Sequence, residues 1–80
     1  MSEEAMVFDV EVDASGLNCP LPILKAKKAL SGVTSGQVVK IVSTDPGSKR
    51  DFEAFARQTG NTMVGQQEAD KVWTFFLKRR

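Results

Sequence analysis

The chain has 80 residues, 41% hydrophobic and 26% charged, with 11 Lys and Arg against 10 Asp and Glu for a net charge of +1. Such a length and balance describe one small globular domain spanning residues 1–80, with a core expected over 6–79, and exclude a second domain, a lidded substrate cavity and a strongly basic nucleic-acid surface. With no histidine and Cys19 as the lone cysteine, the chain lacks the usual general base, the common zinc ligands, an internal disulfide and a Cys-x-x-Cys redox pair. Neither a metal nor a cofactor is expected.

The start, Met1-Ser2-Glu3-Glu4, is acidic where an export signal would be basic, and the apolar stretch after it breaks at Asp9. No apolar run approaches the roughly 20 residues that span a bilayer. A single unpaired thiol suits a reducing compartment, so a cytoplasmic protein without membrane contact is expected.

From Met6 to Asp13 the residues alternate, with Met6, Phe8, Val10 and Val12 on one side, which predicts a half-buried strand. Turn formers Ala14 to Asn18 end it. Pro20 and Pro22 then read as a helix start, because a first-turn N–H would lack an intrahelical partner. Ile23, Ala26, Ala29 and Leu30 share the inward face, Lys25 and Lys28 lie opposite, Lys27 sits at the edge, and Gly32 suits a left-handed residue after the helix end.

Val38–Ser43, rich in β-branched residues, predicts a second strand. A second helix is expected after Asp45-Pro46-Gly47-Ser48, capped by Asp45 or Ser48, with Ser48 and Asp51 as a capping-box variant. Phe52, Phe55, Ala56 and Thr59 form its inward stripe and Gly60 stops it. Thr62–Val64 and Val72–Leu77 read as two further strands, with 66–71 as strand end and hairpin turn. Trp73, Phe75 and Leu77 are the candidate core face of the last strand; Val72 and Phe76 would lie on a helix-free face open to another chain. The order βαβαββ predicts an α/β fold, a two-layer sandwich whose four-stranded mixed sheet carries both helices on one face.

Only Cys19 is a plausible nucleophile. Free cysteine often behaves as a small buried hydrophobe. Here it directly precedes a helix start, where unpaired N–H groups and the helix dipole favour an anion and lower a thiol's pKa. The Gly16-Leu17-Asn18 loop favours exposure, and Lys25 adds diffuse positive potential. Hydrolysis lacks a histidine base, and disulfide exchange within the chain lacks a resolving cysteine. What remains is chemistry in which sulfur is both reacting atom and cargo: a thiolate takes the terminal sulfur of a persulfide and yields it to another thiol. By elimination, Cys19 suits a sulfur-relay carrier.

The stretch Asp13-Ala14-Ser15-Gly16-Leu17-Asn18-Cys19-Pro20-Leu21-Pro22 closely resembles the signature of the TusA-like (SirA-type) sulfur carrier proteins, with its Cys-Pro-x-Pro motif. The likeness extends through Lys27-Lys28-Ala29-Leu30, Gly36 and Ser43-Thr44-Asp45-Pro46-Gly47-Ser48, and covers roughly residues 9 to 79. It implies the same βαβαββ sandwich, a persulfide on Cys19, and Asp13, Gly16, Leu17, Pro20, Pro22, Asp45 and Pro46 as the supporting motif. The implied partners are a cysteine desulfurase or similar persulfide donor and a downstream sulfurtransferase acceptor. Implied pathways are tRNA thiolation, molybdenum-cofactor assembly or sulfur oxidation. Two departures stand out: Leu21 lies between the prolines where many members carry Glu, and the second helix has no further cysteine.

Asp13 either orders the Cys19 loop or is a solvated strand end, and Asp45 reads as a helix cap. Lys25, Lys27, Lys28, Lys49 and Arg50, with Arg57, are either ordinary helix surface or a docking patch for an acidic partner. Whether the chain is itself an enzyme is open, since a carrier's persulfide is a covalent intermediate without stand-alone turnover. Two other functions compete: an RNA-binding module, disfavoured by the near-zero charge and the lack of exposed stacking aromatics, and a redox adaptor that would form a sulfenic acid or mixed disulfide. A monomer is expected.

Overall fold

In the computed structural model, which describes residues 7–80, the elements run β1 (Val10–Ala14), α1 (Leu21–Ser31), β2 (Val38–Ser43), α2 (Ser48–Thr59), β3 (Thr62–Ala69) and β4 (Val72–Lys78). One four-stranded sheet has the order β1-β2-β4-β3; β1 and β2 pair in parallel, the other two pairs antiparallel. This is the mixed βαβαββ sandwich that the element order predicts.

Alternation builds the core. On β2, Val39, Ile41 and Ser43 are buried, and on β4 so are Trp73, Phe75 and Leu77. Ala26 and Leu30 of α1 and Phe52, Phe55 and Ala56 of α2 pack onto that face in one cluster. Phe52 stacks on Phe75 at 4.7 Å and meets Phe55 edge-on at 6.3 Å; burying each such ring stabilises the fold by about 1.5–3 kcal/mol.

Several boundaries differ from expectation. β1 begins at Val10, and Met6 lies outside the described residues. A bend at Asp9 carries Phe8 to the opposite face; Asp9 bonds Val38 twice, N–H to carbonyl at 2.8 Å and Oδ2 from its N–H at 2.9 Å. There Phe8 meets Phe76 at 6.2 Å, with Lys40 over its ring and paired to Glu11. Phe76 is thus 3% exposed, and the face expected to be open to another chain is covered at that ring. Gly32 is right-handed, with φ −96°, because α1 ends in a tight turn through Gly32 N–H to Ala29 O and Val33 N–H to Leu30 O. Gly60 does take the left-handed conformation, φ +79°, and a Cβ there would meet Arg80 at 2.9 Å. β3 runs on to Ala69, and the turn is Asp70-Lys71 alone, both left-handed. Among the described residues, no helix is long and apolar enough to cross a membrane.

Candidate functional site

Because β1 and β2 are parallel neighbours with both following helices on one face, the loops after them open at the same edge of the sheet. The first carries Cys19, the second Asp45, Pro46 and Gly47.

The Cys19 loop is held mostly by backbone groups. Asp13, near the end of β1, accepts the Ser15 N–H at 2.9 Å, and the Ser15 side-chain and backbone hydrogen bonds hold its carboxyl below the ordinary value. Gly16 turns the chain with φ +79°, a conformation costly for other residues. Its N–H reaches across to Thr44 Oγ1 at 2.8 Å. Leu17 tucks partly into the core, with its N–H on Ala14 O. Pro22 is fully buried and anchors α1, whereas Pro20 is exposed at its N-cap; the Cys19–Pro20 peptide is cis.

Across the groove, Asp45 is not the helix cap expected of it. Its Oδ2 accepts the Cys19 N–H at 2.8 Å and its Oδ1 the Gly47 N–H at 3.1 Å. Ser48 does not cap either: it is the first residue of α2, whose N-cap is Gly47, with no side-chain cap. The Ser48 hydroxyl is instead drawn into a buried pair with the Ser43 hydroxyl. Leaving either hydroxyl alone there would cost about 1–3 kcal/mol. That pair ties the end of β2 to the start of α2 and so fixes where Asp45 sits.

Cys19 is exposed, in a shallow groove it shares with Asp45, Pro46, Gly47, Lys49, Arg50, Asp51 and Glu53. Its thiol pKa lies above the ordinary value, opposite to expectation. A hydrogen bond to the Asp51 carboxylate is the largest cause, followed by desolvation and the charges of Asp51 and Asp45. The helix start offers little to oppose them: Pro20 and Pro22 have no N–H, and the Leu21 N–H is taken by Asn18 O at 2.8 Å. Lys25 acts on Asp13 rather than on the sulfur.

The five cations read as a docking patch divide between two places. Lys49 and Arg50 line the Cys19 groove, whereas Lys25 and Lys28 line another against Val10 and Val12 of β1; Lys27 is exposed on α1. Asp51 and Thr44 carried no site role in the sequence. The signal that reaches them is topological: parallel neighbouring strands place both loop ends and the first turn of α2 together. Among the described residues, no group of three or more His, Cys, Asp and Glu is placed to hold a metal ion.

Comparison with known proteins covers nearly the same span. The family model for sulfurtransferase TusA matches residues 10–79. A sulfur carrier protein TusA from Allochromatium vinosum is 56% identical over 72 residues, 90% of this chain and 95% of that protein. A putative sulfur carrier protein from Neisseria meningitidis is 46% identical over 69 residues, 86% of this chain and 93% of its own. The crystal structure of a SirA-like protein from Desulfitobacterium hafniense superposes with a TM-score of 0.78 at 28% identity, covering 88% of this chain and 96% of that one.

Proposed function

The chain belongs to the TusA sulfurtransferase family of sulfur carriers, and on that premise we propose that it carries sulfane sulfur as a persulfide on Cys19, from a cysteine desulfurase or similar donor to a downstream sulfurtransferase. The observation that carries this reading is an exposed thiol whose backbone is pinned by Asp45 in an open groove. A carrier must present one sulfur to two successive partners, and an enclosed pocket would bar both.

In the accepting step the Cys19 sulfur attacks the terminal sulfur of the donor persulfide. The donor's S–S bond breaks with its electron pair on the donor thiolate, and Cys19 is left as the persulfide. Release repeats the exchange with the acceptor's thiol as nucleophile. A raised thiol pKa also argues against the redox-adaptor reading, since peroxide-sensing cysteines are low-pKa thiolates.

The test is a relay of radiolabelled sulfur. Wild-type protein loaded by a desulfurase from labelled cysteine, then separated from it, should pass the label to an acceptor sulfurtransferase. Cys19→Ser should take up none. Label that reaches the acceptor equally with the serine variant contradicts the reading.

A further inference from the structure

The two edges of the sheet carry grooves that differ in charge. β1 and β3 are the outer strands, each paired on one side only among the described residues. The groove along β3 is lined by Glu53 and Arg57, one of each sign. The Cys19 groove likewise sets Lys49 and Arg50 against Asp45, Asp51 and Glu53. Neither selects a partner by charge. The groove along β1, about 480 Å³, has Lys25 and Lys28 as its only charged lining, beside apolar Val10, Val12, Ala29 and Val33. Both lysines are exposed, and neither forms an ion pair among the described residues; Lys25 acts on Asp13 only from a distance.

An outer strand presents unpaired backbone N–H and C=O groups, to which a second chain can add as a further strand. The added main chain supplies affinity and its alternate side chains supply specificity. Val10 and Val12 alternate to the helix side of β1, and Glu11 and Asp13 to the other. A strand added there turns every second side chain into the groove and sets the rest beside Glu11 and Asp13.

α1 joins the end of β1 to the start of its parallel neighbour β2, so it runs back along β1. Lys25 therefore lies toward the Cys19 loop and Val33 toward Val10. Residues three apart on a helix are about 5–6 Å apart, and alternate residues of a strand about 6.6 Å. Two carboxylates at alternate strand positions thus match Lys28 and Lys25, and an aliphatic residue one step further meets Val10 and Val33.

We propose that the β1 edge docks an extended acidic segment of a partner protein, in which an aliphatic residue and two carboxylates occupy successive alternate positions. The residues between them are neutral, because a carboxylate there would face Glu11 or Asp13. The acidic end lies toward the Cys19 loop, so a partner anchored in this way is held beside the thiol. The surface is defined without the sulfur chemistry and stands or falls apart from it.

The test is a nuclear magnetic resonance titration of the isotope-labelled full chain with the peptide Thr-Val-Thr-Glu-Thr-Glu-Thr, and with the same peptide carrying lysine for glutamate. The glutamate peptide should shift the amide signals of β1 and of residues 29–33, more weakly as salt is raised. Binding should fall by about tenfold in the double variant Lys25→Glu, Lys28→Glu, and Cys19→Ser should bind as the wild type does. No shift at millimolar peptide, equal binding of the lysine peptide, or binding unmoved by the double variant each overturns the proposal. Shifts confined to β3 would assign the segment to the other edge and overturn it too. Binding seen only once residues 2–6 are removed would give the groove to the chain's own acidic start, with the same consequence. Should the double variant not fold, Lys28→Gln alone should weaken binding by about threefold, and no change contradicts the proposal.

Discussion

The two helix starts of this small sandwich face each other across one groove and are built in opposite ways. α1 begins on prolines, with the reactive sulfur just ahead of it and few free N–H groups. α2 begins on Gly47, with a buried hydroxyl pair behind it and Asp51 in its first turn. A helix start is expected to draw an anion toward it. Here the carboxylates contributed by the α2 side outweigh the start of α1, and Cys19 rests protonated more readily than a free thiol. Carboxylates facing the groove outweigh a helix dipole that has few free N–H groups to offer.

The largest effect expected from breaking this arrangement is in the shared platform. Phe52→Ala removes the fully buried ring under α2 and should cost about 3–5 kcal/mol in urea unfolding. Cys19→Ser, at an exposed position, should leave that unfolding curve within about 0.5 kcal/mol of wild type. A curve shifted as far as that of Phe52→Ala would mean the thiol is structural.

Next comes the crossing contact. Asp45→Ala removes the acceptor of the Cys19 N–H and should cost about 1 kcal/mol, with a disproportionate slowing of sulfur acceptance as the loop loosens. Equal acceptance rates would show that the pinned backbone is dispensable.

Gly16→Ala tests the other tie between the loops. Open space surrounds a Cβ there, so only the left-handed backbone resists it, and a loss of about 1–2 kcal/mol is expected from denaturation. No loss would mean the loop readily adopts another turn.

The smallest expected effect sharpens the electrostatic side. With the folded pKa raised above that of the unfolded thiol, Cys19 contributes stability below the unfolded value and loses it as pH rises through the folded one. Unfolding of wild type against Cys19→Ser should therefore diverge in the alkaline range and coincide near neutrality once a constant offset is removed. Divergence of the opposite sign would indicate a stabilised thiolate.

How far the sequence reaches follows the same division. β2 was legible to the residue because Val38, Val39, Ile41 and Val42 leave a helix little to favour it, and the inward stripes of both helices follow from their period. β3 was legible only as far as Val64. Beyond it, Gln66, Gln67 and Glu68 sit on an exposed edge, held by pairing with β4 rather than by any buried alternation. Asp70-Lys71 also lacks the glycine that marks such a turn. At the site, Cys19 stands out because it is the lone thiol beside two prolines. Asp51 does not, because its relation to the sulfur exists only once parallel strands bring the two helix starts together. Asp45 misled for a related reason: a carboxylate just before a helix reads as its cap until the partner loop offers it a different N–H.

The central claim, that Cys19 holds the carried sulfur, is tested most directly by intact-protein mass spectrometry after incubation with a cysteine desulfurase, pyridoxal phosphate and cysteine. The account predicts a gain of one sulfur atom, reversed by reductant and absent in Cys19→Ser. An unchanged mass with the thiol still open to alkylation, repeated with a second persulfide donor, would contradict it.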